Sequence, residues 1–143
     1  MLKTIDPLLG PDLLYVLRAM GHGDELVIVD ANYPAYSSGP DVVRIEANAS
    51  RTLDAVLSVM PLDDFVPEAC WRMEVVGAAS SDEPIFAEFR AIIAKREGAQ
   101  FKLASLERFA FYERAKSAFA ILSTSERRLY GNVILKKGIV RPD

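Results

Sequence analysis

Short apolar runs alternate along the whole chain with segments whose apolar residues recur at helical spacing. The run from Glu25 to Val29 has the length and the branched side chains of a buried strand. Before it, Leu13, Leu17 and Met20 recur at the interval of a helix face. Strands that alternate with helices are typical of an α/β domain in which helices cover a largely buried sheet. The chain has 143 residues, which is enough for one such domain and short for two, so we predict a single domain.

The bounds of the elements follow from capping residues and breakers. Pro11 favours a helix start, Gly21 is a predicted C-cap, and Ser50 is the predicted N-cap of a helix that Pro61 stops. The predicted helices are 11–20, 51–60, 84–96 and 107–116. The predicted strands are 25–29, 42–45, 71–76, 101–103, 118–122 and 132–135. The main connections are an ordered, proline-containing loop at 31–40 and a charged turn or short helix at 124–130.

Charge and cysteine content exclude several classes of protein. The formal net charge is −3 and no basic stretch dominates, so neither nucleic acid nor an anionic membrane is a predicted partner. The one cysteine, Cys70, excludes an intrachain disulfide and a cysteine-cluster zinc site, and we predict a buried thiol. Asp6 and Pro7 interrupt the segment in which a signal peptide has its apolar core, and no uncharged run reaches the ~18–20 residues of a membrane span. We therefore expect a cytoplasmic protein.

The sole histidine lies in a short turn, Gly21-His22-Gly23-Asp24, directly before the first predicted strand. Glycines permit unusual backbone angles and the close approach of a ligand, and an imidazole exchanges protons near neutral pH. Asp30 follows the same strand, at the carboxyl end where α/β sheets usually bind their ligands. This arrangement indicates acid–base chemistry centred on His22. Alternatively, His22 is only a turn residue and Asp30 caps the following loop.

Three further segments carry side chains that suit hydroxyl groups. Arg108 and Tyr112 belong to a segment in which arginines and aromatic residues interleave. The tripeptide Tyr130-Gly131-Asn132 offers a phenol and an amide beside a glycine. Asp63, in a short acidic loop, is a weaker candidate. Each segment also has a structural interpretation: an aromatic helix face, a common turn and a solvated carboxylate, respectively.

Other kinds of site lack their sequence signatures. The chain has no glycine-rich phosphate loop and no Gly-x-Ser-x-Gly nucleophile elbow. A histidine-based metal site needs more than one histidine, and no carboxylate cluster suited to magnesium stands out. We therefore predict neither a metal ion nor a cofactor.

Taken together, these motifs resemble the RbsD/FucU family, and more closely its L-fucose mutarotase branch. The matching stretches follow the family's order and cover nearly the whole chain, with a poorer match over about 80–100. The most specific stretches are GHGDE with the following DANYPA, then RFAFYERA, and finally YGNVILKKG. The ribose branch more often has Tyr-Ala-Asn where this chain has Tyr130-Gly131-Asn132. Together with FYERA, this difference favours fucose over ribose.

The resemblance implies a three-layer αβα sandwich around a mixed sheet, and a cofactor-independent isomerase of fucose metabolism. It also implies a homo-oligomer, often a ring of pentamers stacked as a decamer, with the pocket shared between neighbouring subunits. Members of the family often carry histidines in the loop after Asp30, where this chain has Asn32 and Tyr36, so a mechanism with a second histidine is not expected. The implied catalytic residue is His22, and the implied residues around a bound monosaccharide are Asp30, Asp63, Arg108, Tyr112, Tyr130, Gly131 and Asn132.

Mutarotation opens a sugar ring and recloses it on the other face of the carbonyl group. The reaction needs a proton at the ring oxygen and the removal of a proton from the anomeric hydroxyl. His22 is the predicted proton donor and acceptor, and Asp30 is predicted to orient either His22 or the substrate. Three alternatives stay open: a mutarotase or pyranase for another sugar such as ribose or galactose, a non-catalytic sugar-binding or transport-accessory protein, and an oligomeric scaffold in which His22 is structural.

Overall fold

The computed structural model describes residues 1–143 and contains six strands and four helices, the same numbers as predicted. The strands are β1 (Glu25–Val29), β2 (Asp41–Arg44), β3 (Cys70–Met73), β4 (Ala104–Leu106), β5 (Ala120–Ser123) and β6 (Val133–Lys136). The helices are α1 (Pro11–Ala19), α2 (Ala49–Leu57), α3 (Pro84–Glu97) and α4 (Arg108–Lys116). None of these helices has the length and apolar character needed to cross a membrane.

All six strands belong to one mixed sheet, in the order β2-β5-β1-β6-β3-β4. The β1–β5, β2–β5 and β3–β4 pairs are parallel, whereas β6 runs antiparallel to both of its neighbours, β1 and β3. Because β6 is antiparallel to β1, the first residues of β6 lie beside the last residues of β1. This reversal brings the residues before β6 close to those that follow β1.

Side chains of β1 alternate between the two faces of the sheet, as the two-residue period of a strand requires. Leu26 and Ile28 pack into a core of 25 buried residues that α1, α2 and α3 cover. Val27 and Val29 point to the opposite face, where a second core of 10 buried residues includes Phe111 of α4. Helices thus cover both faces of a buried sheet, and the predicted three-layer αβα sandwich is confirmed.

Two of the predicted helix caps are wrong. The N-cap of α2 is Asn48, whose side chain accepts a hydrogen bond from the backbone N–H of Arg51. Ser50 lies inside the first turn instead, and its hydroxyl donates to Glu88 on α3. Helix α1 ends at Ala19 with Met20 as its C-cap, one residue before the predicted cap at Gly21.

The predictions for two other segments also need correction. Residues 101–103 are not a strand, because the apolar side chains of Phe101 and Leu103 pack against the larger core while the ladder hydrogen bonds to β3 begin at Ala104. The strand predicted over 71–76 ends at Met73, and the chain then turns through a bridge between Val75 and Ala78. The segment 124–130, predicted as a charged turn or short helix, forms a turn at 129–130 and contains no helix.

Candidate active site

The turn Gly21–Asp24, which we call the histidine turn, is closed by its own hydrogen bonds. The Asp24 carboxylate accepts a hydrogen bond from the backbone N–H of Gly21 at 2.7 Å, and the Asp24 N–H donates to the Gly21 carbonyl oxygen at 3.2 Å. Gly23 has φ +86°, a backbone angle that favours glycine because it has no β-carbon. The sequence therefore folds this segment into a tight turn that projects His22 from the end of the sheet.

Asp63 is the hydrogen-bond partner of His22. The imidazole Nε2 lies 3.0 Å from Asp63 Oδ1, and the His22 side chain is 44% exposed whereas that of Asp63 is 4% exposed. The ring of Phe65 contacts the imidazole with 5.2 Å between centroids. A carboxylate on one ring nitrogen fixes the orientation of an imidazole and stabilises its protonated form. Asp63 is therefore a partner of His22, not the solvated loop carboxylate of the structural interpretation.

The environment of Asp63 favours its ionised form. Burial acts to raise the pKa of Asp63, but hydrogen bonds from His22 and from the backbone N–H of Phe65 outweigh burial and hold this pKa below its ordinary value. The N–H of Phe65 donates to the same Oδ1 atom at 3.1 Å. His22 therefore faces a carboxylate that stays charged at neutral pH.

An open cavity of about 170 Å³ lies at the other end of β1. We call it the polar cavity. It gathers five of the predicted site residues at the carboxyl end of the strand, as expected for an α/β sheet. Four residues that the sequence did not single out as site residues also line it, namely Asn32, Tyr33, Met73 and Val76. The predicted residues among its walls are Asp30, Arg108, Tyr112, Tyr130 and Asn132.

Asp30 and Asn132 form the buried base of the polar cavity and are linked by a hydrogen bond. The Asp30 N–H donates to Asn132 Oδ1 at 2.8 Å, and Asp30 Oδ1 accepts from the Asn32 N–H at 2.9 Å. Burial raises the pKa of Asp30 above its ordinary value, although the hydrogen bonds from Asn32 and Asn132 act in the opposite direction. A desolvated carboxylate is a strong acceptor for hydroxyl groups that enter the cavity.

Tyr130 and Gly131 have an unusual local structure. Tyr130 has φ +62°, a left-handed conformation that non-glycine residues rarely adopt. Its hydroxyl accepts a hydrogen bond from the Val76 N–H at 3.1 Å. A β-carbon on Gly131 would lie 2.7 Å from Cγ of Glu126, so any residue other than glycine would require the Glu126 side chain to move. Gly131 does not line the polar cavity and instead permits the conformation that places Tyr130 and Asn132 there.

Arg108 and Tyr112 enter the polar cavity from the first turns of α4. The Arg108 guanidinium lies 4.6 Å from the centroid of the Phe109 ring, and its buried Nε has no hydrogen-bond partner. Tyr112 packs edge-on against Tyr33, with 5.4 Å between ring centroids. Arg114 of the same helix points elsewhere and binds Glu25 at 2.6 Å. Arg108 thus lines the cavity wall with a guanidinium whose Nε is buried and unpaired.

A single chain does not bring His22 and Asp30 together. They lie beyond opposite ends of β1, whose five residues span roughly 16 Å. The expectation that Asp30 orients His22 therefore does not hold within one chain, where Asp63 contacts the imidazole instead. The structure thus contains two clusters of candidate residues: His22 with Asp63, and the polar cavity. No group of three or more histidine, cysteine or acidic residues is arranged to hold a metal ion.

The fold and these clusters define a class of protein: a small αβα sandwich with an open polar cavity and an exposed histidine paired with a buried carboxylate. Comparison with known proteins gives the family. Residues 3–140 match the model of the RbsD / FucU transport protein family. The chain belongs to this family.

Individual relatives are similar along almost their whole length. The chain is 43% identical to the fucose mutarotase of Bos taurus, with 99% of this chain and 95% of that protein covered. It is 44% identical to the fucose mutarotase of Homo sapiens, with 97% and 94% covered. Its structure resembles the crystal structure of the fucose mutarotase from Streptococcus pneumoniae in complex with L-fucose, with a TM-score of 0.89, 42% identity, and 98% and 100% of the two chains covered.

Proposed function

We propose that this protein is an L-fucose mutarotase, an isomerase that interconverts the α and β anomers of L-fucopyranose without a cofactor. The observation that carries the proposal is the similarity of almost the entire chain to fucose mutarotases. The arrangement of polar residues supports it, because one cluster suits proton transfer and the other suits hydroxyl groups. We further propose that residues 1–143 form a single catalytic domain, and that it acts in fucose metabolism in the cytoplasm.

The proton transfer belongs to the pair of His22 and Asp63. Ring opening requires an acid near the ring oxygen of the sugar and a base near its anomeric hydroxyl, and an imidazole serves both roles close to neutral pH. Asp63 stays ionised and stabilises the protonated imidazole that forms when His22 takes up a proton. In this proposal His22, the one histidine of the chain, takes up the proton of the anomeric hydroxyl and returns a proton to the ring oxygen.

The polar cavity holds the sugar through its hydroxyl groups. The Asp30 carboxylate accepts hydrogen bonds, the Arg108 guanidinium donates them, and the phenols of Tyr112 and Tyr130 and the amide of Asn132 do both. Gly131 acts through the backbone, by letting Tyr130 and Asn132 reach the cavity. The proposed substrate-binding residues are Asp30, Arg108, Tyr112, Tyr130 and Asn132, with Asp63 beside the catalytic His22.

A second copy of the chain completes the site in this proposal. His22 and the polar cavity lie at opposite ends of β1, so one chain cannot present both to one sugar. A neighbouring subunit that docks its histidine turn over the cavity would supply the missing half. Exposed apolar side chains support such docking at both ends: Phe65 beside His22 is 62% exposed, and Val76 and Phe109 near the cavity are 53% and 61% exposed. A closed ring of subunits, such as the decamer, repeats this contact at every interface.

Anomer exchange followed by saturation-transfer NMR tests the proposed activity. We expect the protein to accelerate exchange of L-fucose more than that of D-ribose or D-galactose. Faster exchange of another sugar than of L-fucose would identify a mutarotase with a different preference. Binding of L-fucose without faster exchange would identify a non-catalytic sugar-binding protein, and no binding of any of these sugars would leave a structural role.

Complementation between two impaired variants, with exchange measured at an L-fucose concentration far below KM, tests the shared site. His22→Ala removes the proposed proton donor, and Asn132→Ala disrupts the polar cavity. If each site combines residues from two chains, co-expression of the two variants restores intact sites at some interfaces, and exchange activity returns. Activity that stays absent in a mixed oligomer, verified by native mass spectrometry, would show that both residues act from the same chain.

A further inference from the structure

Lys137, which directly follows β6, connects the histidine turn to the segment that carries Asp63. Its carbonyl oxygen accepts a hydrogen bond from the Gly23 N–H at 2.8 Å, and its own N–H donates to the Asp24 carbonyl oxygen at 2.8 Å. On the other side, Lys137 pairs with Leu62 in an isolated antiparallel bridge. The backbone of one residue therefore joins the two segments that carry His22 and Asp63.

The side chain of Lys137 fixes the helix from which the histidine turn departs. Its Nζ donates to the carbonyl oxygens of Leu17 at 2.7 Å and Met20 at 2.5 Å. Carbonyl groups at the end of a helix lack partners within the helix, and a cation stabilises them. Met20 immediately precedes the histidine turn, so this ammonium group anchors the chain at the residue where the turn departs from the helix.

The ammonium group of Lys137 is committed to these two carbonyls. It makes no ion pair with a carboxylate. Burial lowers the pKa of Lys137, which is the mark of a charge that is partly removed from water. By contrast, the neighbouring Lys136 lies 3.4 Å from Glu25. An ordinary surface lysine keeps its ammonium group in water. The ammonium group of Lys137 instead binds two carbonyl oxygens beside the histidine turn, which restrains the position of the imidazole.

We propose that Lys137 is a positioning residue for proton transfer, which anchors the histidine turn so that His22 Nε2 stays 3.0 Å from Asp63 Oδ1. This inference rests on the proposed function, because it acts through the proposed catalytic histidine. Displacement of a catalytic group by about 1 Å can reduce a rate by ~100-fold. Lys137 belongs to the half of the shared site that carries out the chemistry, and it does not line the polar cavity.

The test compares Lys137→Met with Lys137→Arg and a surface control, Lys102→Met. Methionine has a similar length but neither charge nor a hydrogen-bond donor, whereas arginine keeps both. Lys102 is exposed, so its replacement controls for the loss of one positive charge. Each variant is measured far below its thermal midpoint, as the oligomer that the native protein forms. If Lys137→Met does not fold, Lys137→Gln keeps one donor and takes its place.

Two readouts separate positioning from general stability. Because the chain has one histidine, the imidazole nitrogens of His22 give an unambiguous NMR signal that reports the tautomer and the hydrogen bond to Asp63. For Lys137→Met we expect a mixture of imidazole tautomers and a kcat reduced by about 10- to 100-fold, with KM for L-fucose within about threefold of native. We expect a smaller loss of kcat for Lys137→Arg and none for Lys102→Met.

The outcomes distinguish this inference from the proposed function. A Lys137→Met variant with native kcat and a native imidazole signal overturns the positioning role, as does a loss expressed only in KM. If His22→Ala exchanges L-fucose anomers as fast as the native protein, the proposed catalytic role of His22 fails. In that case, an altered imidazole signal in Lys137→Met still supports the anchoring of the turn.

Discussion

The candidate residues at the two ends of β1 differ in their exposure and in the hydrogen bonds that hold them. At the beginning of the strand, the exposed His22 is hydrogen-bonded to Asp63, and the turn that carries it is held by backbone hydrogen bonds between Lys137 and both Gly23 and Asp24. At its end, Asp30 and Asn132 are 4% and 3% exposed and are bonded directly to each other. The first end presents an exposed imidazole oriented by a carboxylate, and the second presents a buried polar surface.

The two carboxylates show what this difference means chemically. Hydrogen bonds to Asp63 overcome burial and lower its pKa, whereas burial dominates at Asp30 and raises its pKa. A carboxylate that stays ionised suits the stabilisation of a protonated imidazole, and a desolvated one suits the binding of hydroxyl groups. Opposite environments thus assign different roles to two residues of the same type. The separation predicts that mutations at one end change kcat and mutations at the other change affinity.

Replacement of His22 tests the end of β1 that is proposed to carry out proton transfer. For His22→Ala we expect enzymatic anomer exchange of L-fucose to fall by about 10²- to 10⁴-fold, because positioned acid–base catalysis typically contributes that much. Saturation-transfer NMR gives the exchange rate, and calorimetry gives the affinity for L-fucose, which we expect to stay within about threefold of native. Exchange at the native rate would remove His22 from the mechanism.

Replacement of Asp63 tests the role of the negative charge beside the imidazole. For Asp63→Asn we expect kcat to fall by about 10- to 100-fold, because the protonated imidazole loses its anionic partner. Asp64→Asn is a matched control, since Asp64 binds Arg141 at 2.7 Å and makes no hydrogen bond to His22. Equal losses of kcat in the two variants would contradict a specific role for Asp63.

The interior of the fold could be predicted from the sequence better than its edge. β1 has the predicted bounds because its apolar run is flanked by a glycine-containing turn and by an aspartate, which mark the two ends of the strand. The third helix, which begins at Pro84 as predicted, ends within one residue of its prediction. The strand predicted at 101–103 failed because apolar periodicity reports burial and not hydrogen bonding. β4 has three residues, of which none is fully buried, at the edge of the sheet.

The candidate site could be predicted only where a residue carries a chemical signal. Residues at the carboxyl end of β1 and before β6 were named from the sequence and meet in one cavity, because the reversal of β6 brings those segments together. Met73 and Val76 were missed, since apolar side chains do not indicate a binding role. Asp63 was named as a site residue, but its pairing with His22 was not predicted, because the two residues lie 41 positions apart in sequence and only the fold joins them.

Replacement of Asp30 tests the end that holds the substrate. For Asp30→Asn we expect the dissociation constant for L-fucose to rise by about tenfold, because a hydrogen bond to a charged group contributes about 1.5–3 kcal/mol and asparagine retains part of it. The rate constant for exchange at saturating sugar should change less than the affinity. Titration calorimetry measures the affinity, with the exposed Asp41→Asn as the control. A larger effect on kcat than on affinity would show that Asp30 takes part in proton transfer and does not only bind the sugar.

The same two carboxylates are expected to affect folding stability with opposite signs. Folding raises the pKa of Asp30 from 3.8, so its ionised form costs stability at pH 7, and the cost disappears as the pH falls below 3.8. Folding lowers the pKa of Asp63 from 3.8, so its ionised form contributes stability at pH 7, which is lost as the pH falls through the lowered value. We therefore expect Asp30→Asn to raise, and Asp63→Asn to lower, the free energy of unfolding at pH 7. Urea unfolding at pH 7 and near pH 3, at one protein concentration, measures both effects. Shifts of the same sign at pH 7 would show that the two carboxylates do not occupy opposite electrostatic environments.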